Sequence, residues 1–72
     1  SLGTVKLFSR MKGWGFLEPD GGDRDVFVHY ENIAGDRFRN LEKGEHVRFL
    51  DEETPKGPKA IDVSTVEVAS AL

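Results

Sequence analysis

The sequence predicts a small all-β domain, built as a barrel or a sandwich. Short runs of β-branched and aromatic residues recur along the chain and are separated by segments rich in Gly, Pro, Asn and Asp. No stretch of useful length has the pattern of a helix. The 72 residues suffice for one domain, and a chain of this size must have a compact core.

Five strands are predicted in chain order. The first is GTVKLFS (3–9), and WGFLEP (14–19) and DVFVHY (25–30) follow, joined by a hairpin turn at DGGD (20–23). Residues 31–44 contain few β-formers and are interpreted as a long connection with one helical turn near Asn32 and Ile33. EHVRFLDE (45–52) and KAIDVSTVEV (59–68) are the last two strands, separated by the loop TPKGP (54–58).

Alternation along these runs sorts the side chains onto two faces. The predicted core consists of one aromatic and eight aliphatic residues: Val5, Leu17, Val26, Val28, Ile33, Val47, Phe49, Ile61 and Val63. In the fifth run Val66 and Val68 are out of phase with Val63. A bulge near Ser64 or Thr65, or a strand end there, would explain this slip.

The opposite face of the second and third runs carries four rings: Trp14, Phe16, Phe27 and His29. No predicted helix can cover these rings, and an exposed apolar patch on a small protein usually marks a binding surface. The bases of single strands stack on such rings with roughly 1–3 kcal/mol each. Gly13 and Gly15 are expected to leave room for a nucleic-acid strand to approach. The alternative is that the rings fill the second side of a sandwich.

The net charge of −3 argues against a protein that holds phosphates by bulk charge. If the partner is a nucleic acid, stacking must therefore supply much of the affinity, with help from a few local cations. Lys6 and Lys12 are placed to meet phosphates at the edge of the aromatic face. For any one basic cluster, a solvated surface of mixed charge is the alternative.

The segment GTVKLFSRMKGWGFLEPDGGDRDVFVHYENI (3–33) resembles the bacterial cold-shock domain, and KGWGFL and VFVHY are similar to its paired ribonucleoprotein-type motifs. The similarity continues through FRNLEKGEHVRF and KGPKAIDV, so it covers nearly the whole chain. It implies a five-stranded antiparallel OB-fold-type barrel in which residues 1–72 form a single domain with a core of about 3–68. It also implies binding of single-stranded RNA and DNA.

The resemblance implies a set of binding residues: Lys6, Lys12, Trp14, Phe16, Phe27, His29, Tyr30 and Phe38. Asp25 is expected to contact base edges, and Lys56 to lie at the rim. Tyr30 takes part only if the chain turns there, because a continuing strand would point it inward. For Phe38 the alternative is a loop anchor packed on the barrel.

Position 7 departs from the family, which usually has KWFN where this chain has KLFS. The resemblance places Leu7 at a stacking position, where it cannot stack and weakens one subsite. Strict alternation instead puts Leu7 on the core side with Val5, and Phe8 on the binding side with Lys6. A bulge could reconcile the two interpretations.

The expected function is that of an RNA chaperone that stacks unpaired bases, and the alternative is a module that binds extended peptides in an aromatic groove. The sequence contains no cysteine, nucleophile elbow or P-loop, so we expect no enzyme, cofactor or metal site. DEET (51–54) is interpreted as a solvated loop.

No apolar run reaches membrane-helix length and no signal-like segment is present, which predicts a cytoplasmic protein. We expect a monomer without membrane or small-molecule partners, whose long third connection also allows strands to exchange between copies.

Overall fold

The computed structural model describes residues 1–22, 24–34 and 40–66. Within them the chain forms the five predicted strands: β1 (Leu2–Ser9), β2 (Trp14–Pro19), β3 (Val26–His29), β4 (His46–Thr54) and β5 (Gly57–Thr65). A single 3-10 turn, Tyr30–Asn32, follows β3 and confirms the predicted helical turn. None of the helical structure in these residues is long or apolar enough to cross a membrane.

The strands close into a barrel in the order β1-β2-β3-β5-β4, which confirms the predicted five-stranded all-β barrel. Four pairings are antiparallel, but β3 and β5 run parallel, with Phe27 opposite Lys59. A ring of five strands must contain at least one parallel pair, because strand direction cannot alternate around an odd number. The parallel pair therefore follows from closure itself.

The interior of the barrel is entirely apolar among the described residues. Its buried members are Val5, Leu17, Val26, Val28, Ile33, Leu41, Val47, Phe49, Ala60 and Val63. The predicted core is confirmed except at Ile61, which is half-buried. Ala60 takes its place, and Leu41 from the long connection joins the core.

A bulge in β5 explains why Ile61 was wrongly placed. Arg48 pairs with Ser64 and Leu50 with Ile61, so two residues of β5 stand opposite one residue of β4. Asp62 lies within this bulge at φ 54°, a left-handed conformation that Asp tolerates better than most residues. The phase slip between Val63 and Val66 is explained by the predicted strand end, because β5 ends at Thr65. The bulge at Asp62 is a separate feature, and it lets Ala60 and Val63 both point inward.

A second bulge, in β1, decides which way position 7 faces. Val5 pairs with Leu17, and Leu7 pairs with the adjacent residue of β2, Phe16. Lys6, which lies between Val5 and Leu7, therefore has no partner on β2. Both Lys6 and Leu7 are consequently exposed, while Phe8 pairs with Gly15 and packs against the core. Strict alternation was wrong here, and the bulge reconciles periodicity with the family resemblance.

Candidate nucleic-acid interface

Three large rings meet on the outer face of β2 and β3 and are called here the aromatic cluster: Trp14, Phe16 and Phe27. Their ring centroids lie 5.9–6.0 Å apart, at distances typical of tilted and edge-to-face contacts. Phe16 pairs directly with Phe27 across the two strands, and the residues between the rings face the buried core. The apolar core is thus complete without the aromatic cluster, whose rings are half-buried on the surface.

His29 and Tyr30 extend the aromatic cluster at one end. His29 pairs with Trp14 across the strands, and its ring centroid lies 4.6 Å from that of Tyr30. After His29 the chain leaves the strand and enters the 3-10 turn, which leaves Tyr30 40% exposed. Tyr30 therefore does not point inward, as it would if β3 continued. The five rings occupy neighbouring positions on β2, β3 and the 3-10 turn and are called here the aromatic row.

The 3-10 turn also fixes the tautomer of neutral His29. The backbone N–H of Glu31 donates to His29 Nδ1 at 3.2 Å, so in the neutral ring the proton is on Nε2. That N–H can donate a hydrogen bond to a carbonyl or ring nitrogen of a base. His29 therefore combines a stacking face with a single donor of defined position.

Gly15 is needed for a contact inside the protein, so the expectation that it makes room for a ligand is wrong, and Gly13 is needed for close packing against Tyr30. A Cβ on Gly15 would collide with the backbone of β1, at 2.6 Å from Phe8 Cα. Gly13 has φ 77°, and a Cβ there would lie 3.0 Å from the ring of Tyr30. These glycines bring β1 and Tyr30 close to β2.

At the other end, the aromatic cluster borders the hairpin between β4 and β5. Phe16 and Phe27 line a pocket of about 410 Å³ together with Lys56 and four hairpin neighbours: Thr54, Gly57, Pro58 and Lys59. Lys56 thus lies where the rim was expected. The sequence did not single out Pro58 or Lys59 as site residues, because only the parallel pairing of β3 with β5 brings them beside Phe27.

Lys6 and Asp25, both expected at the interface, form an ion pair with Nζ 2.9 Å from Oδ2. The hydrogen bond to Asp25, with attraction to Asp25 and to Glu18, raises the pKa of the Lys6 ammonium, so it remains charged at neutral pH. Lys59 is likewise paired, with Nζ 3.4 Å from Glu52 Oε1. Both cations are already partly neutralised before any phosphate arrives.

The remaining expected residues are placed as follows. Lys12 is exposed in the turn between β1 and β2, at the Tyr30 end of the aromatic row. Phe8 is turned toward the core by the β1 bulge, so its expected place on the binding face was wrong. Phe38 lies outside the described residues. Among those described, no group of three or more His, Asp or Glu side chains could hold a metal ion.

The chain is similar in fold to a solved structure, Drosophila Unr CSD456, with a TM-score of 0.77 and 21% sequence identity. The match covers 99% of this chain and 28% of that protein. At this identity the likeness concerns the fold alone.

Curated relatives are closer in sequence. The chain is 50% identical over 64 residues to the probable cold shock protein A of Mycolicibacterium smegmatis, covering 89% of this chain and 96% of that protein. It is 44% identical over 70 residues to the cold shock-like protein CspD of Escherichia coli, covering 97% and 95% of the two chains. The family model described as 'Cold-shock' DNA-binding domain matches residues 1–66. The chain therefore belongs to the cold-shock domain family, a family of nucleic-acid-binding domains.

Proposed function

We propose that this protein binds single-stranded RNA and DNA by stacking successive bases on the aromatic row. The observation that carries the proposal is that the rings lie outside a core that is already filled. The barrel encloses a complete apolar core, yet three large rings contact one another on the outside of adjacent strands. Rings in such a row present π-faces at intervals that a flexible single strand can follow.

The expected affinity follows from the number of platforms. Each base stacked on an aromatic side chain contributes roughly 1–3 kcal/mol, so three or four platforms supply about 3–9 kcal/mol before ordering costs. This is enough for micromolar or tighter binding. Because every base has a π-face, the sequence preference is weak, and the Nε2 donor of His29 and the Asp25 carboxylate add selectivity at single positions.

Binding of this kind makes the protein an RNA chaperone. Bases held on the aromatic row are withdrawn from hairpins, so secondary structure is disfavoured by mass action without ATP. Cytoplasmic roles in cold adaptation, translation and transcription antitermination fit this activity. We further propose that residues 1–72 act as one domain and as a monomer, with strand exchange through the long connection as the route to a dimer.

The proposal is tested by titrating the protein with oligo-dT and oligo-U at low salt. Trp14 is the only tryptophan of the chain and lies in the aromatic cluster, so its fluorescence reports stacking directly. We expect saturable quenching by single strands and little by a duplex of the same sequence.

Two outcomes would overturn the proposal. The first is no quenching by any homopolymer at low salt, and the second is a strong preference for duplex. A proline-rich peptide titrated in parallel covers the alternative of a peptide-binding groove, in which case the peptide and not the oligonucleotide would change the fluorescence.

A further inference from the structure

The turn between β1 and β2 forms a second concave surface at the Tyr30 end of the aromatic row. Its pocket of about 420 Å³ is lined by five residues: Arg10, Met11, Lys12, Gly13 and Tyr30. We propose that Arg10 and Met11 complete this pocket as a nucleotide subsite, in which they bind the nucleotide that stacks on Tyr30, next to the one stacked on His29. The inference rests on the proposed function and extends the binding site onto Arg10 and Met11.

The turn is held in a fixed position against the aromatic row. The N–H of Gly13 donates to Ser9 O at 2.7 Å, which closes the turn, and the N–H of Lys12 donates to Ser9 Oγ at 3.1 Å. The N–H of Tyr30 donates to Gly13 O at 2.8 Å, which ties the turn to the end of β3. The backbone of the turn is therefore preorganised, and a ligand does not have to order it.

The charges of the pocket favour a phosphate. Within residues 1–22, 24–34 and 40–66, neither Arg10 nor Lys12 forms an ion pair, whereas Lys6 and Lys59 are paired with carboxylates. Two uncommitted cations separated by one residue therefore flank the pocket. In a protein with a net charge of −3, this local concentration of positive charge favours the binding of a phosphate here.

The apolar part of the pocket suits a base. Met11 is 97% exposed, and a thioether on an unbranched side chain adapts readily to a flat ligand and makes favourable contacts with rings. Gly13 packs against the ring of Tyr30 and leaves the rest of that ring open at 40% exposure. A base stacked on Tyr30 can therefore be covered by Met11 while its phosphate lies between Arg10 and Lys12.

The subsite predicts how affinity depends on oligonucleotide length. We expect the affinity of the wild type for oligo-dT to rise in single-nucleotide steps until the strand reaches the turn. In Arg10→Gln the last step is reduced, binding of long strands weakens about two- to fivefold, and the salt slope falls by about 0.7. Affinity for strands too short to reach the turn stays at the wild-type value.

Arg48→Gln is the matched control, because it removes the same charge from an exposed position on β4, which pairs with β1 and β5. It should leave both the length profile and the salt slope unchanged. If Arg10→Gln behaves like Arg48→Gln, the subsite is overturned while the proposed function stands. If the wild type shows no quenching by any oligonucleotide, the proposed function fails and the subsite fails with it.

Met11 provides a second readout that does not depend on mutation. It is the only methionine of the chain, so a ¹³C-methyl label gives a single resonance. We expect this resonance to shift with long oligo-dT and to stay in place with strands that end before the turn. An unchanged resonance with a saturating long strand would contradict the subsite.

Discussion

Leu7 stands where the resemblance to the family leads us to expect a tryptophan. The β1 bulge leaves Leu7 45% exposed and directly opposite Phe16, so it borders the aromatic cluster. An aliphatic side chain covers the edge of the surface but offers no π-face. Leu7→Trp should therefore tighten single-strand binding by up to roughly 1–3 kcal/mol. Calorimetry is the suitable measurement, because a second tryptophan complicates fluorescence.

Leu50→Trp is the control for position 7. Leu50 is 55% exposed on β4, whose neighbours are β1 and β5. A tryptophan there adds the same ring without a ligand to stack on, so the affinity should not change. Equal affinity of Leu7→Trp and the wild type would contradict the placement of Leu7 on the binding surface.

Phe27 separates ligand binding from folding. Its ring contacts both Trp14 and Phe16, but it faces away from the core. Phe27→Ala should weaken oligo-dT binding by roughly 1–3 kcal/mol and leave the thermal unfolding transition largely in place. Phe49→Ala is the contrasting variant: Phe49 is fully buried, so its loss should cost about 3–5 kcal/mol of folding free energy. Unfolding of the Phe27 variant would instead assign that ring to the core.

Single residues of the site could be predicted wherever their strand is regular. Trp14, Phe16 and Phe27 follow from alternation, because β2 and β3 pair without interruption. Phe8 could not be placed, since one unpaired residue in β1 reverses every side chain beyond it. Lys59 was not recognised as a site residue because its proximity depends on a contact between strands distant in sequence.

At the scale of elements, the β5 bulge leads us to expect a change in stability opposite to the one that β-strand propensity predicts. Valine favours strands more than aspartate does, yet Asp62 has φ 54°, where a β-branched side chain is strained. Asp62→Val should therefore lower the free energy of unfolding by roughly 1–2 kcal/mol. Urea denaturation measures this change.

Asp62→Asn controls for the lost charge, because Asn tolerates the left-handed conformation as Asp does. It should be close to the wild type in stability. A valine variant as stable as the asparagine variant would mean that the bulge relaxes into regular strand and carries no strain.

All five strands could be predicted from the sequence. The residues at which the strands end and the positions of their bulges could be predicted less accurately. β-branched and aromatic runs bounded by turn residues define each strand. TPKGP suggested a five-residue loop, whereas Thr54 pairs with Gly57 and leaves only Pro55 and Lys56 in the turn. Thr54 Oγ1 accepts the N–H of Lys56 and donates to Gly57 O, a local solution that strand patterns do not reveal.

At the scale of the whole molecule, the distribution of charge predicts a weak dependence of binding on salt. Of the cations described beside the aromatic row, Lys6 and Lys59 are paired with carboxylates. Arg10, Lys12 and Lys56 are left as the main partners for phosphate. Three contacts to a single strand give a slope of log K against log salt near about −2. A measured slope steeper than about −4 would indicate that phosphates, and not stacked bases, dominate the affinity.

Closure of the barrel has a consequence for solubility. An open sheet that displays several aromatic rings also displays unpaired backbone at its edges, and the two together promote aggregation through strand addition. Here every strand has a neighbour on both sides, since β1 pairs with β4 as well as β2. A second copy that touches the rings therefore finds less free strand edge than an open sheet would offer. The closed ring thus lets a chain of 72 residues keep its largest apolar groups available to ligands.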